Sequence, residues 1–195
     1  MRGQAVLGGA AYHVWQDVLA LLALQLPLSE LELGVLATIL PKLPVVLGTE
    51  PTQLQSLDPA SARLQLLRVI DDLLGRLPEP ALLLLEDLQW ADAESLALLS
   101  MVAGNISNRP LLIVASYRAN DVVGLEGAFP QLRKLHLQRL GRSDMAALCE
   151  SMLGQVGQDP KLLELVATET EGNAHFIVEG MRALAADAGS LQSIG

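Results

Sequence analysis

The feature that most restricts this chain is an unbroken apolar run that stops on two carboxylates. Leu82, Leu83, Leu84 and Leu85 are consecutive, and Glu86 and Asp87 follow at once. A strand with one wet face alternates polar and apolar residues. A strand covered on both faces does not, and central strands of parallel sheets are of that second kind. Residues 82–85 are therefore expected to form a central strand buried on both faces. Leucine runs also occur in buried helices, and an acidic pair is often only a solvated strand end or a helix N-terminus. The residues beyond favour the strand. Asp92 is placed to cap a helix with Glu94 in its first turn, where an acidic side chain suits the helix dipole. In open α/β sheets, ligands collect at the carboxyl ends of the strands. Two carboxylates there suit a hydrated magnesium ion and an oriented water beside nucleotide phosphates.

Composition agrees with an α/β or an all-α chain. At 195 residues it is long enough for one ordinary domain, or a domain with a small appendage. Hydrophobic residues make up 51% and aromatics only 3%, so the core must be built from Leu, Val, Ile and Ala. A β-sandwich would want more aromatic and β-branched residues. The net charge is −9 and no Lys/Arg cluster stands out, which argues against a nucleic-acid surface in this piece. The single cysteine, Cys149, makes no internal disulfide or metal cluster, and a reducing cytoplasm fits. It lies in an apolar helical pattern and reads as a buried structural thiol. His13, His136 and His175 show no metal-ligand spacing. The longest apolar stretch, around residues 18–28, is too short to span a bilayer and is broken by Gln25 and Pro27. Residues 1–4 do not open a signal peptide. The chain is read as soluble and cytoplasmic, without membrane contact.

Taken in order, residues 4–8 read as a short strand stopped by Gly8 and Gly9. Residues 14–26 read as a helix with Val14, Val18, Leu21, Leu22 and Leu26 on one face, ended by Pro27. Residues 28–40 give a second helix capped by Ser29, and residues 45–57 a loop. Asp58 and Pro59 open a further helix, as N-cap and first helical residue. The helix after Asp92 runs to about residue 103, and residues 111–116 form a second apolar strand. Strand, helix, strand makes a crossover, so the two strands should be parallel. Arg118 then emerges at the same edge as Glu86 and Asp87. Residues 120–130 read as loop and 134–137 as an edge strand. Only helices follow, one capped by Ser143, one opened by Asp159 and Pro160, and a last one over 174–186 capped by Asn173. A boundary near residues 137–141 divides an α/β core, 1–138, from a helical subdomain, 139–195.

The string Glu86-Asp87-Leu88-Gln89-Trp90-Ala91-Asp92, after four leucines and before Ser95-Leu96, resembles the Walker B segment of the STAND branch of AAA-type P-loop NTPases. These are signal-transduction ATPases of large bacterial regulators, LuxR-type transcription activators among them. The resemblance covers nearly the whole chain. Tyr12 and Trp15 match loosely a family helix, where they read as packing aromatics. Ser116-Tyr117-Arg118 resembles the end of the sensor 1 strand. Thr170-Glu171-Gly172-Asn173-Ala174-His175-Phe176 is similar to a lid motif whose proline is replaced here by Ala174.

The resemblance implies a P-loop NTPase-like sheet followed by a small helical lid, with ATP and Mg as cofactors. Glu86 would hold the metal through water, and Asp87 would orient or deprotonate the attacking water. The order of the two roles stays open, since the family uses Asp-Asp, Glu-Asp and Asp-Glu at this pair, and both carboxylates are candidate metal ligands. Arg118 would contact the γ-phosphate, and Asn173 would lie near base and ribose. The alternative to that phosphate role is that Arg118 simply pairs with the nearby carboxylates. Trp90 is assigned to packing and Asp92 to capping. Implied partners are ATP or ADP, other domains of the same regulator and further copies of the chain.

A P-loop needs a Gly-Lys pair. The sequence contains none, and its lysines are Lys42, Lys134 and Lys161. The expectation is a fragment that lacks the first strand, the P-loop and its helix and binds ATP weakly or not at all. Two rivals are a non-enzymatic, nucleotide-gated interaction module and an unrelated doubly wound enzyme with a metal at its acidic edge.

Overall fold

The computed structural model of the chain describes residues 1–49, 57–118, 129 and 132–192. It divides into two compact units, Met1–Leu132 and Arg133–Gly195. The first is α/β. Its elements are β1 (Arg2–Gln4), α1 (His13–Gln25), α2 (Glu30–Ala37), α3 (Leu43–Val46), α4 (Pro59–Gly75), β2 (Ala81–Glu86), α5 (Ala93–Gly104) and β3 (Leu111–Ala115). The strands form a parallel sheet in the order β1-β2-β3. Leu85 lies opposite Gly3 on one side and Ala115 on the other.

Local chemistry sets most helix starts. Ser29 and Glu32 make a reciprocal capping box at α2. Asp58 accepts from the backbone N–H groups of Ala60 and Ser61, with Pro59 in the first turn of α4. Asp92 caps α5 through the N–H of Ser95. Trp15, Leu19 and Leu22 of α1, Ile70 and Leu73 of α4, and Leu98 of α5 are fully buried with Leu83 and Leu85 of the central strand. Gly3 is required where α1 passes β1, because a Cβ there would collide with the Val14 carbonyl oxygen.

The leucine run is the central strand, but it is not covered on both faces. Leu83 and Leu85 are fully buried, whereas Leu82 is 50%, Leu112 63% and Val114 45% exposed. The reason is topological. Three parallel strands laid down in one direction carry their helices to the same face when the crossovers share one hand, as such crossovers nearly always do. A second layer needs a reversal of strand order, and the described strands have none.

Four further expectations change. The first strand is Arg2–Gln4 rather than 4–8, since the chain turns away at Gly8, whose φ is +74°. Residues 45 and 46 of the expected loop belong, with Leu43 and Pro44, to the short helix α3, which has Pro44 in its first turn. Residues 50–56 of the expected loop, like residues 120–128 and 130 of the later one, lie outside the described residues. Residues 134–137 form no strand, and Leu135 and Leu137 are 83% and 89% exposed. A strand is held by its neighbour's hydrogen bonds, and among the described residues no strand pairs with this segment. Gly141, not Ser143, is the N-cap of the helix that follows.

The second unit is helical, with α6 (Arg142–Leu153), α7 (Pro160–Thr170) and α8 (Ala174–Gln192). Met145, Cys149, Val166, Ile177 and Met181 form its small core. Burial pushes the Cys149 thiol pKa up, as expected of a structural thiol. Gly172, at φ +79°, lets the turn between α7 and α8 meet the preceding segment, where the Leu140 N–H donates to the Gly172 carbonyl at 2.8 Å. Among the described residues no helix is long and apolar enough to cross a membrane.

Candidate functional site

Parallel pairing brings the ends of β2 and β3 to one edge. The ladder runs past the strands proper: Ser116 N–H donates to the Leu85 carbonyl, and Leu88 N–H to the Ser116 carbonyl, both at 2.9 Å. Glu86 closes β2, and its side chain pairs with Arg2 of β1. The next residue leaves the strand. Asp87 adopts a left-handed backbone, φ 58° and ψ 39°, which opens the 3₁₀ turn Leu88–Trp90. Aspartate tolerates this conformation better than most residues because its short side chain bonds locally.

The two carboxylates therefore do different things. Glu86 is taken by the guanidinium of Arg2. Asp87 is held by two neutral amides: Gln4 Nε2 donates to Oδ2 at 2.9 Å, and Gln89 Nε2 donates to Oδ1 at 3.1 Å. These bonds favour the charged form, Gln4's most and Gln89's next; burial opposes them by less, and the charge of Arg118 adds a weaker pull still. The carboxyl is held below the usual aspartate range.

Gln89 also ties in the third candidate. Its Oε1 accepts from the backbone N–H of Arg118 at 3.1 Å. The Arg118 guanidinium lies over the Trp90 ring, 5.5 Å from its centroid, a cation–π distance. So Asp87, Gln89, Trp90 and Arg118 are linked across the β2 and β3 ends, with Gln4 joining from β1. Gln4 belongs to no motif, and the acidic string that contains Gln89 assigns it no role; only their partners single them out. Asn173 belongs to the second unit. There its Oδ1 accepts from the N–H groups of His175 and Phe176, capping α8.

Asp92 has a structural task. It accepts from Ser95 N–H at 2.9 Å and Ser95 Oγ at 2.6 Å, and also from the Tyr12 backbone. Burial raises its pKa, but these bonds outweigh burial and leave the carboxyl below the usual range. Trp15 Nε1 donates to the Ser95 carbonyl at 3.0 Å. The turn before α1 is thus fastened to the first turn of α5, a role the packing assignment of Tyr12 and Trp15 did not contain.

Two carboxylates and one guanidinium at a strand edge can orient a cation and an anionic group. They cannot form an all-protein metal cage: among the described residues no three His, Cys, Asp or Glu side chains cluster to hold an ion. No family model matches the chain, and no curated protein or solved structure matches it either.

Proposed function

We propose that the carboxyl edge of β2 and β3 is the acidic and arginine half of an ATP-dependent switch of the STAND type. The observation that supports this best is the linked set Asp87–Gln89–Arg118, which spans the ends of two parallel strands. Hydrated magnesium asks for only one or two carboxylates alongside phosphate oxygens, and Glu86 and Asp87 supply that number. When bound, the ion would neutralise phosphate charge. In this reading Glu86 would hold it through water, Asp87 would orient the attacking water, and Arg118 would report the γ-phosphate. The sheet would then be a P-loop NTPase sheet without its first strand, and the second unit, to which Asn173 belongs, would serve as the lid.

Phosphate binding in such sheets depends on backbone amides and a lysine after a Gly-rich turn. The sequence has no Gly-Lys pair. This chain alone is therefore expected to hold ATP no more tightly than about 1 mM, a loss of roughly 4 kcal/mol against a micromolar site. Titration with MnATP, followed by amide NMR, tests both points. Paramagnetic broadening should appear first at residues 86–88 and 118. Uniform broadening across the chain would remove the reading, and a micromolar dissociation constant would overturn the weak-binding expectation.

A second reading draws on the same geometry. Glu86 and Asp87 are already engaged by Arg2, Gln4 and Gln89, as suits a nucleotide-gated interaction module without turnover. Turnover by a longer chain that supplies the Gly-Lys-Ser/Thr turn separates the two. The switch reading expects turnover that Asp87→Asn abolishes; the module reading expects none above background, and turnover unchanged by Asp87→Asn would remove Asp87 as the residue acting on the water.

A further inference from the structure

A cleft of about 410 Å³ opens between α1, α2, α4 and α5 of the first unit. Small-molecule sites commonly span about 300–1,000 Å³, apolar for the most part with a few convergent polar groups. Val35, Ile39 and Leu66 supply apolar wall, and Tyr12, Arg63 and Glu94 stand together at the polar end. Tyr12 is 6% exposed and holds a left-handed backbone, φ 61°. That conformation is an outlier for a bulky residue, and such outliers gather at ligand sites.

The polar end is a compensated set. Tyr12 Oη donates to Glu94 Oε2 at 3.2 Å, and Arg63 Nε donates to the same oxygen at 2.5 Å. Burial, with the Glu94 charge beside it, pushes the Tyr12 phenol up, so it stays a donor at neutral pH. The Arg63 and Glu94 side chains are 46% and 41% exposed, so both can be reached from the mouth.

We infer that this cleft binds a small uncharged molecule with an apolar body ending in a carboxamide. The head group follows from the pair it meets. A carboxylate would gain Arg63 but face Glu94. An ammonium would gain Glu94 but displace Arg63. A carboxamide gives an N–H to Glu94 and takes one from Arg63, whose terminal nitrogens carry further donors, and no charge is left uncompensated. The apolar body then lies along Val35, Ile39 and Leu66. Nothing in this inference depends on the nucleotide reading, and neither falls with the other.

The test is amide NMR on the 195-residue chain, titrated separately with 4-phenylbutanamide, 4-phenylbutanoate and 4-phenylbutylammonium. Shifts are expected at Thr38, Ile39 and Ala62, with the amide about tenfold tighter than either ion. Ala62 lines the cleft and is exposed, so Ala62→Phe should block it without disturbing the core, weakening the amide about tenfold or more. Glu94→Gln removes the repelling charge and should bring the butanoate to within about threefold of the amide. The inference fails if the three probes bind the unmodified chain alike. It fails also if Ala62→Phe leaves amide binding unchanged, or if no shifts appear at the cleft up to the probe's solubility.

Discussion

The acidic stretch has two ends, and the fold treats them differently. At the first, Asp87 stands at the tip of β2 with its carboxylate held by the side chains of Gln4 and Gln89. At the second, Asp92 is fastened into the start of α5 by Ser95 and the Tyr12 backbone, and the fully buried Trp15 bonds the Ser95 carbonyl. A carboxylate that builds a helix start is accounted for by stability. One that sits in a left-handed turn, open to solvent and aimed by two amides, is not. Asp92 is the acidic residue the fold needs, and Asp87 is one it only positions.

Breaking the fastened end should have the largest effect. Trp15→Ala removes a fully buried indole and its bond to Ser95. Urea denaturation should show a loss of about 3–5 kcal/mol, the usual cost of truncating a buried tryptophan. A loss under about 1 kcal/mol, within the range of ordinary surface changes, would mean the turn and α5 are not held together.

Asp92→Ala comes next, at about 1–2 kcal/mol for a lost cap at neutral pH. The effect carries a pH signature. The folded pKa of Asp92 lies below its unfolded value. Its stabilisation is therefore complete above the unfolded pKa and is lost as pH falls through the folded one. The gap between the unmodified chain and Asp92→Ala should close on acidification below the usual aspartate range. A gap that persists there would show that the aspartate acts by packing rather than as a charged cap.

What the sequence discloses follows the reach of the interactions. Asp58, Asp92 and Asp159 are legible as caps because a cap acts within three residues, and Pro59 and Pro160 mark the same starts. Parallel pairing is legible from two apolar runs separated by a helix, and it brings Asp87 and Arg118 to one edge. Coverage of the sheet is not legible. Leu82 and Leu83 are chemically identical, and only the order and handedness of the connections leave one at 50% exposure and the other at zero. Alternation misleads at residues 134–137, since a pattern that suits a strand does not provide a partner. The left-handed Tyr12 is hidden too, because nothing in a tyrosine side chain announces that backbone; its bonds to Asp92 and Glu94, some 80 residues on, hold it there.

The smallest effect on stability belongs to the open end, and there the sharper readout is titration. Gln4→Leu and Gln89→Leu should each change unfolding free energy by no more than about 0.5 kcal/mol, since both act on a half-exposed carboxylate at the rim of the sheet. The Asp87 carboxyl carbon, followed by NMR against pH, should respond in both. The folded pKa is depressed, so the tie is present above the unfolded pKa and lost as pH falls through the folded value. Removing either amide should move the midpoint up toward the ordinary range, Gln4→Leu by more because its bond contributes most. The two variants should then part at Arg118. Only Gln89 accepts from the Arg118 N–H, so only Gln89→Leu should shift that amide resonance. If neither variant moves the Asp87 midpoint, water alone sets it, and the open end is not aimed. If both shift Arg118 equally, the edge moves as one body and Gln89 is not the link between acid and arginine.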